Sequence, residues 1–69
     1  MKMTEQEKER RWEIRESIKF LVKKMSDAVQ YLDACGITAT QNNEGGDWER
    51  MQKQNAKRAE RVAALQAQL

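Results

Sequence analysis

The sequence predicts an all-α fold: two helices joined into an antiparallel hairpin, with two hairpins pairing as a coiled-coil-like four-helix bundle. Three observations carry that expectation. A long stretch without Gly or Pro places its apolar residues in alternating steps of four and three. A cluster of turn formers, ITATQNNEGG, then precedes a second stretch free of Gly and Pro. Finally, 69 residues with 39 % hydrophobic and 35 % charged side chains provide little core for a single copy, and self-association is a natural remedy in so small a chain.

The first helix is expected over residues 4–35. Thr4 and Glu7 have the spacing of a capping box, in which each side chain satisfies a backbone N–H at the other position. Ile14, Ile18, Leu21, Met25, Ala28, Leu32 and Cys35 then form an unbroken heptad seam, the pattern of a helix that buries one stripe against another helix. Val22 and Val29 widen the stripe, as in a bundle helix. At 1.5 Å per residue such a helix is about 45 Å long. Cys35, with no His in the chain, reads as a small apolar residue closing the seam.

Gly36 is placed to end this helix in a left-handed conformation, and residues 36–46 form the turn. Asp47 is the expected N-cap of a second helix over 47–68. A rival reading starts that helix at Thr38 or Thr40, with EGG as a kink; adjacent glycines inside a helix cost about 1 kcal/mol each, which favours the later start. The second seam is Trp48, Met51, Asn55, Arg58, Val62, Leu65 and Leu69, two of them polar. Asn55 reads either as a register-setting residue in the seam or as surface. Ala56, Ala59, Ala63, Ala64 and Ala67 would let another helix approach closely. In the hairpin the second helix covers part of the first seam and leaves the remainder for a second chain, so Ile14, Ile18, Leu21, Met25, Ala28, Leu32, Val62 and Leu65 are the expected core and dimer residues.

Composition narrows the function. Lys and Arg number 13 against 11 Asp and Glu, a net charge of +2, so no overall field draws the chain to nucleic acid or acidic lipid. With no His, one Cys and no Gly-rich phosphate loop, no catalytic constellation, metal site or cofactor is expected. No apolar run is long enough to span a membrane, the N-terminus lacks the apolar core of a signal peptide, and a lone thiol fits a reducing compartment. The expected location is the cytoplasm.

Two surface features remain. Arg50, Lys53, Lys57 and Arg61 line one face of the second helix, a row able to track phosphates. The dense acids Glu5, Glu7, Glu9, Glu13 and Glu16 offer a simpler reason for it, since an antiparallel hairpin brings the far end of helix two toward them. Nucleic-acid binding, with no recognised DNA-binding motif to support it, is therefore the alternative. The second feature is three aromatics off the seam. Phe20 and Tyr31 lie close together on the helical wheel, and Trp12 lies almost opposite the seam among Arg11, Glu13, Arg15 and Glu16. Trp and Tyr are common anchors of protein interfaces, so Trp12, Phe20 and Tyr31 are the candidate partner-binding residues. The expectation is a homodimeric, non-enzymatic protein that binds another protein; a structural coiled-coil subunit is a further alternative.

In length and in its long helix–NNEGG–shorter helix layout, the chain resembles the small quorum-sensing anti-activators of Pseudomonas phages. The resemblance implies a phage-encoded inhibitor in the host cytoplasm that occupies a LuxR-type transcriptional activator, and a type IV pilus assembly ATPase as a second target. It assigns no individual residue.

The seam itself is open to test. Leu21→Asp, which sets a charge in its middle, should abolish either the helical signal in circular dichroism or the dimer in light scattering. A fully helical monomer would contradict the proposed bundle.

Overall fold

Thr4 opens the first helix as its sequence requires. In the computed structural model, which describes residues 2–69, helix α1 spans Glu5–Ala34 and α2 spans Asp47–Gln66. No strand occurs among the described residues. The Glu7 N–H donates to Thr4 Oγ1 at 3.2 Å, and Glu5 and Glu7 set negative charge at the positive end of the helix dipole. Within these bounds α1 ends one residue before the expected limit and α2 two.

The end of α1 is a Schellman turn. Gly36, at φ 72°, donates to the Asp33 carbonyl at 3.0 Å, and the Ile37 N–H reaches back to the Leu32 carbonyl at 2.8 Å. Together these satisfy two of the carbonyls that a helix end leaves open. Leu32 and Ile37 line one groove, the apolar contact that accompanies this motif. The geometry also turns Cys35 outward: it is exposed and does not close the seam.

The connection is braced by its own side chains. Thr38 N–H donates to the Gln41 carbonyl at 2.9 Å, while Gln41 N–H donates to Thr38 Oγ1 at 3.0 Å. Asn42, at φ 58°, ties the loop to α1 through its Nδ2 and the Gly36 carbonyl, 3.0 Å apart. Asp47 is not the cap of α2 but its first residue. Gly46, left-handed at φ 70°, precedes it and carries no capping side chain. This left-handed turn brings Asn43 back over the helix end, where Asn43 Oδ1 accepts the Trp48 N–H at 3.1 Å. Asp47 instead pairs with Arg50 at 3.2 Å.

The two helices pack antiparallel along their seams. Ile14, Leu32, Met51 and Leu65 are buried, and Ile18, Leu21, Met25, Ala28 and Val62 are half-buried between the helices. Asn55 belongs to the seam: half-buried, it donates from Nδ2 to the Met25 carbonyl across the interface at 3.3 Å. Arg58 Nη1 donates to Asn55 Oδ1 at 2.8 Å, so the two polar seam positions satisfy each other. At the open end Arg11 extends the first seam by one step, donating from Nη2 to the Leu69 carbonyl at 2.9 Å. The molecule measures 55 × 18 × 13 Å, one helix thick. Among the described residues no helix is long and apolar enough to cross a membrane.

A Cβ at Gly36 would meet only Asn42 Nδ2, at 3.7 Å, so a side chain there is opposed by backbone conformation and not by crowding. Gly36→Ala should therefore cost about 1–2 kcal/mol in urea unfolding, and Gly36→Asn less. Equal stability of Gly36→Ala and wild type would show that this turn is not left-handed.

Candidate functional site

Because the seams face each other in a single layer, the rest of the surface divides into two broad flanks, one on either side of the interface. The first carries the candidate aromatics of the seam's neighbourhood. Tyr31 lines an open groove with Arg50 and Gln54 of α2. Farther along, Phe20 lines a second groove with Ser17, Glu16 and Arg61. Lys57 lies between Arg50 and Arg61 on the same face of α2 by helical spacing, and Lys53 sits farther round.

Phe20 and Tyr31 are 58 % and 69 % exposed; α2 does not cover them. The Lys24 ammonium stands 4.9 Å from the centre of the Phe20 ring, within cation–π range. The structure thus unites two features that are separate in the sequence, the aromatics and the basic row. Trp12 is not part of this union. It is 63 % exposed and lines a hollow near the start of α1 with Met3, Lys8 and Arg15.

The acidic residues of α1 do not neutralise the row within the chain. Among the described residues the ion pairs are Lys19–Glu16 at 3.5 Å and Arg50–Asp47 at 3.2 Å, each inside one helix. The reason is the register. Since Arg11 meets Leu69, Glu5, Glu7 and Glu9 lie past the end of α2. Arg50 stands beside Tyr31 and Cys35, far from those acids, and only Arg61 comes near Glu16, which is engaged with Lys19. Arg50 also donates to the Gly45 carbonyl, which holds its guanidinium toward the loop.

The opposite flank differs in kind. Met25 and Val29 of α1 form a groove with Trp48, Gln52, Ala56 and Ala59 of α2, and no charged side chain lines it. Val22 and Val29 are 50 % and 40 % exposed. The Trp48 indole N–H is buried beside it without an acceptor. In the sequence the valines stand apart from the alanines, one set a wider stripe and the other a set of small residues; their meeting on one flank depends on how α2 is rotated. Arg58 takes its place in the expected second seam, whereas Arg11 lies outside the expected first seam although the 11–14–18 spacing continues it.

Among the described residues, no group of three or more Cys, Asp or Glu side chains is arranged to hold a metal ion. Comparison with protein-family models, curated proteins and solved structures finds no match to this chain.

Proposed function

We propose that this protein is a non-enzymatic helical adaptor or inhibitor that acts as a homodimer in the cytoplasm and occupies another protein by direct contact. One observation carries this reading: Phe20 and Tyr31 are exposed beside a basic row that no acid of α2's partner helix neutralises. Exposed aromatics supply contact area at small conformational cost, and charges at their rim steer the encounter. Trp12, at the far end of α1, adds a separate anchor.

Spacing favours a protein over a nucleic acid. Phe20 and Tyr31 are eleven residues apart on α1, about 16 Å along its axis. Bases on one strand step by roughly 3.4 Å, so these rings cannot sandwich or stack neighbouring bases. A partner helix lying along the flank has the same rise per residue as α1, and its side chains at i and i+11 would meet the two rings. The resemblance to the phage anti-activators makes a LuxR-type transcriptional activator and a type IV pilus assembly ATPase the first partners to test.

A tagged pull-down from bacterial lysate, with and without nuclease, should retain a stoichiometric protein after nuclease treatment. Trp12→Ala, Phe20→Ala and Tyr31→Ala combined should abolish that capture, while each change alone alters the unfolding free energy from urea titration by no more than about 0.5 kcal/mol, as expected of exposed positions. Capture that survives in the folded triple variant would refute the site. Recovery of nuclease-sensitive material alone would move the function to the basic row.

A further inference from the structure

The hairpin is short of core. Only Ile14, Leu32, Met51 and Leu65 are buried among the described residues, and no large side chain is buried completely. Against that background the flank bearing Val22 and Val29 stands out, on a chain that is 35 % charged. On α2 the residues Gln52, Ala56, Ala59 and Ala63 follow one another in steps of four, three and four, so they stay on this flank for three turns. We infer that two copies of the chain pack against each other through the uncharged groove of Val29, Ala56 and Ala59 on this flank, forming a two-fold four-helix bundle that leaves both aromatic–basic flanks facing outward.

The occupant is a second copy because of what two-fold symmetry demands. In such an interface the same patch meets itself, so its charges must tolerate like charges across the axis. The other flank, where Asp47 lies with Arg50 and Glu16 with Arg61 beside Lys24 and Lys57, would bury charged side chains about the axis. The groove at the centre of the valine flank, around Val29, Ala56 and Ala59, buries none; Arg15 and Lys19, which share the helix face of Val22, lie toward its rim. Its alanines also permit the short interaxial distance, about 8 Å, at which small side chains let helices approach.

Area agrees. Trp48 to Gln66 extends about 27 Å, and the molecule is 18 Å wide. This is a footprint of about 500 Å² per copy and about 1,000 Å² for the pair, before the relief of the side chains is added, which reaches the lower bound of a specific interface. The arrangement rests on the homodimer in the proposed function and extends it: a dimer built this way binds two partner molecules, one on each outer side.

Sedimentation equilibrium of the full chain tests the assignment. Ala59→Glu and Val29→Lys each place a charge on the flank at exposed positions, where the hairpin itself has room for it. Each should raise the dimer dissociation constant at least tenfold with an unchanged circular dichroism spectrum. Gln54→Glu, which adds the same charge on the opposite flank, should leave the dimer intact. The inference is overturned if the wild type is monomeric throughout, if both flank variants stay as dimeric as wild type, or if only Gln54→Glu dissociates it. Should Ala59→Glu lose its helical signal, Val29→Lys decides alone, and Val22→Lys replaces it if it too unfolds. Partner capture by a monomeric flank variant keeps the two readings apart: capture without dimer leaves the partner site standing whatever the fate of this interface.

Discussion

One interface holds the molecule together, and its rotation decides everything displayed on the outside. The contact between the two seams is mostly aliphatic, and aliphatic contacts alone tolerate sliding and rolling. Asn55 restricts both. Its donation to the Met25 carbonyl and its acceptance from Arg58 place two polar side chains inside the seam at one longitudinal position. A different register would take the half-buried Asn55 amide away from its acceptor on α1, at a cost of about 1–3 kcal/mol if the group is left unsatisfied, while the Arg58–Asn55 bond lies within α2 and moves with it. Polar residues at seam positions serve this purpose in coiled coils, giving up some stability for a single alignment.

From that alignment the two flanks follow. In a structure one helix thick, no side chain off the seam has anywhere to hide, so composition on each flank becomes surface chemistry directly. The same turn of α2 that sets Arg50 and Arg61 beside Tyr31 and Phe20 sets Ala56 and Ala59 beside Val29. One flank becomes charged and aromatic; the other holds an apolar groove that no charged side chain lines. A molecule so divided can hold a copy of itself on one side and a different protein on the other without the two competing. That division supports the adaptor or inhibitor reading more directly than any single residue does.

The fold was readable because helices write their faces into local spacing. Ile14 to Leu32 keeps its three–four rhythm without interruption, Thr4 and Gly36 mark the ends of α1, and the burial of Ile14, Leu32 and Leu65 follows. The capping of α2 was less readable, since a Gly pair lets Asn43 reach across five positions to Trp48 where a local rule points to Asp47. Cys35 fell outside the seam because the Schellman turn departs from helical geometry at that residue. The candidate site was legible only in fragments. Phe20 and Tyr31 share a face of α1, and Arg50 to Arg61 share a face of α2, but whether those faces adjoin depends on a relation between helices that no local pattern encodes. The same holds for Glu5, Glu7 and Glu9, whose separation from the basic row comes from α1 extending past the end of α2.

The relation of the two helices is therefore the claim to test first. Nuclear Overhauser spectroscopy on isotope-labelled protein reads it directly through the Asn55 side-chain amide. The account predicts cross-peaks from the Asn55 Nδ2 protons to the backbone and side-chain protons of Met25, along with contacts between Ala59 and the protons of Val22 or Met25. Cross-peaks to Met25 from Gln54 or Lys57 in place of Asn55 would mean that α2 is rotated. The basic row and the apolar groove would then lie elsewhere, contradicting the division on which both proposed binding surfaces rest.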